Sequence, residues 1–363
     1  MEAKSYVCPT CGAAMEFDIE EQKMSCSHCG TKMTVEELDR QYHNLDGQYG
    51  DKNANNFSMN DGAATREDNY NGNFKVYRCA GCGAEVITDD YTAATFCSFC
   101  GRPSLMEDRL TGALMPEYVI PFKIRKEEAV DIYKAWARKG ALTPSLLRKN
   151  ATIEKITGMY VPFWLYDYDA TIDLDAQCTI TRSHTSGEYR IVDTDHYNVK
   201  RVVEAEFNRV PADASEKMPD NIMDMLEPFG YGEMRQFEMP YLSGYYSERF
   251  NYDSVQMMPR IERRIARYIE EAGRDTIDKR YSTVNVMRKN IELNKMNASY
   301  ALLPVWMLNY RYNNRDYMFA LNGQTGKIVA DRPVSKQKGA AWFATISTVL
   351  FTILMLIGRI FGA

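Results

Sequence analysis

Three observations predict an α+β fold for this chain of 363 residues. Two four-cysteine frames lie near the N-terminus, helical and strand periodicities fill the stretch 116–334, and twenty uncharged residues run from 339 to 358. They divide the chain into two small zinc ribbons (5–34 and 76–105), a flexible linker (41–73), a globular domain of mixed antiparallel sheet and helix (116–334) and one C-terminal transmembrane helix (339–358).

The ribbons come first. Cys8-Pro-Thr-Cys11 and Cys26-Ser-His-Cys29 are separated by fourteen residues, as are Cys79-Ala-Gly-Cys82 and Cys97-Ser-Phe-Cys100. The second frame repeats the first at an offset of 71, down to Tyr6 and Tyr77. A Cys-x-x-Cys turn aims two thiolates at one centre, and two such turns complete a tetrahedral structural zinc site. Gly12, Gly30, Gly83 and Gly101 follow the second cysteine of each turn, where backbone amides must swing toward sulfur. A segment of roughly 30 residues buries too little apolar surface to fold alone, so metal binding supplies much of its folding energy. Disulfides require an oxidising compartment, and Met1–Thr10 has no apolar core of a signal peptide. A rubredoxin-like iron site uses similar turns with a longer gap, and a redox dithiol needs one pair rather than four. Closed four-thiolate sites leave no open coordination position for catalysis. His28 lies inside a knuckle and reads as an exposed residue, because four thiolates already fill the shell.

Residues 41–73 are rich in Asn, Asp and Gly and poor in large aliphatics, the composition of a linker. In the globular domain Val119–Ile124 reads as a strand and Lys126–Lys139 as a helix with Val130, Tyr133, Trp136 and Ala137 on one side. Met159–Asp169 is a strongly aromatic strand. Shorter strands are expected at 171–175, 179–182 and 189–192, with a hairpin turn at Ser186-Gly187. Ala214–Glu227 reads helical. The clearest helix is Val255–Ile277, striped by Met258, Ile261, Ile265, Tyr268, Ile269 and Ala272. Strands at 281–293, 301–312 and 317–321 follow, with turns at Asn313-Asn314 and Asn322-Gly323. Val161-Pro162-Phe163-Trp164-Leu165 echoes Leu303-Pro304-Val305-Trp306-Met307, a match too short to establish a duplicated half-domain.

The segment 339–358 would span about 30 Å as a helix, the thickness of a bilayer core. It stands out from a chain whose mean hydropathy is −0.43. Arg332, Lys336 and Lys338 precede it and only Arg359 follows, which keeps the N-terminal bulk in the cytoplasm as a single-pass, tail-anchored protein. That reducing compartment suits free thiolates.

Catalytic patterns are weak. Asn322-Gly323-Gln324-Thr325-Gly326-Lys327 departs from a phosphate loop in glycine spacing and in the Ile328 after Lys327. Cys178, His184 and Asp193 have no motif linking them as a triad, and Asp193, Asp195 and His196 read as a polar strand end rather than a metal site. No small-molecule substrate is identified. Residues 1–109 hold 10 Lys+Arg against 18 Asp+Glu, a net of −8, which argues against nucleic acid as the ribbons' partner. Arg260, Arg263, Arg264, Arg267 and Arg274 are interleaved with Glu262, Glu270 and Glu271. They read as a solvated helix face with internal ion pairs, the sharper alternative being contact with anionic lipid.

The CxxCG frames, PFWLYD at 162–167, YLSGYYSE at 241–248, YALLPVWMLNY at 300–310, NGQTGK at 322–327 and the apolar terminal segment resemble a bacterial membrane protein family labelled transcription-factor-IIB-type zinc-ribbon proteins. Some of its members are labelled primosomal replication helicases, a label this chain does not support. Others are encoded beside phage-shock protein A and tied to its recruitment under membrane stress. The resemblance implies that Cys8, Cys11, Cys26, Cys29, Cys79, Cys82, Cys97 and Cys100 are ligands of two structural zinc ions, and that no residue is catalytic. The expected function is a non-enzymatic membrane-anchored adaptor with protein partners. The alternative is a nucleic-acid-associated zinc-ribbon protein of replication or transcription.

Overall fold

The computed structural model describes residues 2–49 and 74–361. The chain starts with β1 (Glu2–Ala3), β2 (Met15–Asp18), β3 (Lys23–Cys26), β4 (Lys32–Met33) and α1 (Val35–Tyr49). Strands β2, β3 and β4 form an antiparallel sheet. Helix α1 begins at a capping box: the Glu37 amide donates to Thr34 Oγ1 at 3.1 Å, and the Thr34 amide donates to Glu37 Oε2 at 2.8 Å. The helix carries residues 41–49, where a linker was expected; the rest of the expected linker lies outside the described residues.

Next come β5 (Phe74–Cys79), β6 (Glu85–Asp89), β7 (Thr92–Phe96) and β8 (Pro103–Leu105). Strand β1 pairs in parallel with β5, which ties the two ribbons together.

The remaining elements are β9 (Tyr118–Val119), α2 (Lys126–Arg138), α3 (Asn150–Ile153), β10 (Thr157–Ser186), β11 (Tyr189–Asp213), α4 (Asp220–Met225), β12 (Arg235–Gln236), β13 (Tyr246–Glu248), α5 (Ser254–Asp275), β14 (Thr283–Tyr312), β15 (Arg315–Asn322), β16 (Ile328–Ala330) and α6 (Lys336–Phe361). Strand β10 is central, antiparallel to β11 on one side and to β14 on the other.

The strands expected as short pieces are continuous. β10 and β14 each run 30 residues, a contour of roughly 100 Å. The register shifts opposite Asp167/Tyr168 and Asp175/Ala176 fall on β14, where Met296 and Met287 are left out of the pairing. The inward face of β14 therefore changes from Val286 to Ile291 and Leu293 and back to Ala298, which breaks its sequence pattern, while β10 buries every second residue from Tyr166 to Cys178. The expected helix at 214–227 shrinks to α4, because Pro219 stands extended at its N-cap and disfavours helical conformation in the residue before it. The expected strand at 119–124 forms only at Tyr118–Val119.

Burial explains the composition. At the base of the sheet both faces are covered. Tyr160, Leu302 and Trp306 share a core with α2 and the first ribbon, while Val161, Phe163, Leu303 and Val305 pack against Met223 and Leu226. Strands buried on both faces need the continuous apolar runs seen there. Beyond Leu165, among the described residues, α5 alone covers the sheet, through Met257, Ile261, Ile265, Ile269 and Gly273, and β10 alternates. The buried stripe therefore uses Met257 rather than Met258, and Gly273 rather than Ala272. A Cβ on Gly273 would stand 3.3 Å from Ile172 Cγ2, which gives the glycine its packing role.

The Pro-x-Trp echo marks a local two-fold axis. Val161 pairs with Leu303, the first residues of the two segments. Tyr118 of β9 pairs in parallel with Ala301 of β14, and Tyr246 of β13 pairs in parallel with Met159 of β10. The indole N–H of Trp306 donates to the Ile124 carbonyl at 2.8 Å, and that of Trp164 to the Tyr252 carbonyl at 2.9 Å. Phe122 lies 5.1 Å from Trp306, and Phe250 lies 5.2 Å from Trp164. Ala129, Tyr133 and Ala137 of α2 take the places of Met257, Ile261 and Ile265 of α5. The domain is built from two β-α-β-β units, each donating its short first strand to the other's long strand.

Candidate metal centres

Each four-cysteine cluster consists of two identical turns. The amide after each second cysteine donates to the carbonyl of the first: Gly12 to Cys8 at 2.8 Å, and Gly30 to Cys26, Gly83 to Cys79 and Gly101 to Cys97 at 2.9 Å. All four glycines take φ between +71° and +75°, a region closed to most side-chain-bearing residues. This geometry closes the loop tightly enough to put both thiols on one side.

The sulfurs converge. In each cluster the four Sγ atoms lie within 4.8 Å of one another. Cys8–Cys29 and Cys11–Cys26 are 3.5 Å apart, and Cys79–Cys100 and Cys82–Cys97 are 3.7 Å apart. A tetrahedral ion with metal–sulfur bonds of about 2.3 Å has sulfur–sulfur edges of about 3.8 Å, whereas a disulfide needs about 2.05 Å. All eight cysteines are free thiols placed to bind metal ions.

Burial alternates. Cys8, Cys26, Cys79 and Cys97 are buried, while Cys11, Cys29, Cys82 and Cys100 are exposed. Amides turned toward sulfur favour the thiolate; hydrogen bonds from Cys100 and Phe99 bring the Cys97 thiol down to about 6. His28 is exposed and outside the cluster. The matched tyrosines of the two frames are both fully buried, with Tyr77 donating to Asp108 and Tyr6 to Asp39.

Both clusters are fastened to the sheet. The Phe17 amide donates to the Ser243 carbonyl at 3.2 Å, and Ser243 Oγ donates to the Met15 carbonyl at 2.6 Å. Cys8 and Cys26 belong to the same apolar core as Trp306. In the second ribbon β7 pairs antiparallel with β13, and Lys217 bridges Asp89 at 2.5 Å to Glu248 at 2.6 Å. Neither contact has a local sequence signal, since Ser243 and Lys217 lie far along the chain from their partners.

Other candidates are dispersed. Cys178 is buried beneath α5, whereas His184 and Asp193 face each other at 3.7 Å on the exposed end of the β10–β11 hairpin. Asp193, Asp195 and His196 are exposed and are not among the clusters able to hold a metal ion within the described residues. The 322–327 segment is a turn joining β15 to β16, with Asn322 Oδ1 accepting from the Gln324 and Thr325 amides, and a strand rather than a helix comes directly after it. Arg260 pairs with Asp213 at 2.9 Å and Asp224 at 2.6 Å, Arg264 with Glu227 at 2.6 Å, and Arg274 with Glu270 at 3.1 Å. Three of the five arginines on α5 are thus held in ion pairs with the protein itself.

The described residues include one helix long and apolar enough to cross a membrane. It covers Lys336–Ile357, with mean hydropathy 2.1 and none of its apolar window buried. Thr345 and Thr348 return their hydroxyl protons to the Ala341 and Ala344 carbonyls, so these polar groups are satisfied within the helix.

A Bacillus subtilis (strain 168) protein described as "Uncharacterized protein YdjG" is 39% identical over 358 residues, covering 99% of this chain and 98% of the relative. This chain belongs to the YdjG family. No family model matches it, and no solved structure matches it. The similarity runs nearly end to end in both proteins, so the YdjG family is defined over the whole architecture rather than over one ribbon.

Proposed function

We propose that the protein is a non-enzymatic adaptor, anchored in the cell membrane by α6, that binds zinc at two structural sites and presents a fixed surface to protein partners. One observation carries this reading. The second cysteine cluster is joined to the central sheet by strand pairing and the first by hydrogen bonds to Ser243 in the segment that leads into β13, and an uncovered apolar helix follows β16 of the same sheet. Zinc is the ion assigned because four closed thiolate ligands suit a structural, redox-silent d¹⁰ ion. Arg332, Lys336 and Lys338 before the apolar run, against Arg359 alone after it, favour the N-terminal bulk on the cytoplasmic side.

The heads are docked rather than tethered, so the adaptor acts as one body. Its β10–β11 hairpin extends past the end of β14 at Thr283 and exposes Tyr189 and Val192, 78% and 53% accessible. That tip is the part of the molecule farthest along the strands from the helix. The resemblance to proteins encoded beside phage-shock protein A makes membrane-stress complexes the setting in which partners are sought. The net charge of −8 on residues 1–109 disfavours the nucleic-acid alternative.

Purifying the full chain from detergent-solubilised membranes of its host tests the proposal. The expected result is a reproducible protein partner and no salt-sensitive nucleic acid. Recovery of the chain alone, or of bound nucleic acid, contradicts it.

A further inference from the structure

The chain is acidic overall, yet its cations gather around the start of α6. Residues 134–155 contain six Lys or Arg and a single acid, Glu154. Arg138, Lys139, Arg148, Lys149 and Lys155 are all exposed, and none enters an ion pair among the described residues. This contrasts with α5, whose arginines are largely engaged.

The fold brings this segment to the helix. The Ser335 amide donates to the Leu142 carbonyl at 2.9 Å, and Lys338 Nζ donates to the Thr143 carbonyl at 2.7 Å. The Arg332 guanidinium sits 5.2 Å over the Trp136 ring. The loop between α2 and α3 therefore wraps the first turn of α6. Arg315, at the turn between β14 and β15, lines one open groove with Lys155, beside Asp331 and Arg311, the latter paired with Asp316 at 3.6 Å. Unpaired exposed cations repel one another, and a surface that concentrates them beside an apolar helix is matched by a plane of negative charge.

We infer that this basic collar binds the anionic phospholipid headgroups of the bilayer that α6 enters, seating the base of the domain on the membrane surface. The inference rests on α6 spanning the membrane. It replaces α5 as the lipid-facing element.

The test uses the full chain reconstituted in vesicles of phosphatidylcholine alone or mixed with phosphatidylglycerol, labelled with a membrane-impermeant amine reagent and read residue by residue by mass spectrometry. Alkaline carbonate extraction of the same samples scores insertion of α6. In anionic vesicles, labelling of Lys139, Lys149 and Lys155 is expected to slow by about fivefold, the factor that a surface potential of roughly −40 mV gives for protonating a nearby amine. Lys279, beyond the far end of α5, serves as the internal control and is expected to stay unchanged. Raising the salt to about 0.5 M is expected to remove the difference. The Arg138→Gln/Arg148→Gln variant is expected to shrink it while Lys279 still labels normally. Inserted protein whose collar lysines label equally in both vesicles overturns the inference alone. Protein extracted by carbonate from both vesicles overturns it together with the anchor.

Discussion

The eight cysteines act through geometry that each short turn sets by itself. Positive φ at the glycine closes the turn, and the sulfurs then stand at tetrahedral spacing. Residue types at local spacing were therefore enough to find, from the chain alone, the two groups of four cysteines that come together. Ser243 and Lys217 were not legible, because their partners lie 228 and 128 residues away. The Cys79→Ser/Cys82→Ser variant is expected to hold one metal ion per chain where the parent holds two, as counted by plasma mass spectrometry. An unchanged ratio contradicts the assignment of that cluster.

The residue scale also yields a pH prediction. Burial pushes the Asp213 carboxyl up to about 6, against the opposing pull of Arg260. Below about pH 4 this group is protonated in both folded and unfolded chains. Between about 4 and 6 the unfolded chain ionises first, so Asp213 lowers stability as pH rises, and above about 6 its cost is constant. The position related by the local axis is Asn322, a neutral residue. Asp213→Asn is thus expected to gain stability relative to the parent from pH 4 to 6 and no further above, measured by denaturant unfolding. A difference independent of pH removes the argument.

Among the elements, α5 was the most legible because it is long and amphipathic and packs on one face of a sheet. Its start at a capping box on Asp253, with Gln256 at the third position, agrees with its sequence. The long strands were the least legible, since register shifts imitate strand ends. Helix α1 was missed although Thr34-Val35-Glu36-Glu37 carries the capping signal, because the Asn- and Asp-rich composition that follows outweighed it. The burial of α5 has a measurable consequence. Ile265 is fully buried against β10 and β11, so Ile265→Ala is expected to cost about 2–5 kcal/mol in denaturant unfolding. A loss under about 1 kcal/mol would mean that the helix does not cover the sheet as described.

For the whole molecule, what the sequence divided into separate domains is joined. The second ribbon adds β7 and β8 to the central sheet, and the first ribbon shares its core. The two-fold relation between the β-α-β-β units was visible only as a five-residue echo, because the equivalence lies in register and packing rather than in residue identity. These features make one body that carries two four-cysteine clusters and, among the described residues, one long apolar helix at its base, and the proposed function depends on that helix being in a bilayer. Alkaline carbonate extraction of membranes from cells producing the full chain tests this most directly. The account predicts that the chain stays in the membrane pellet and moves to the soluble fraction when residues 336–361 are deleted. Recovery of the intact chain in the carbonate supernatant contradicts it.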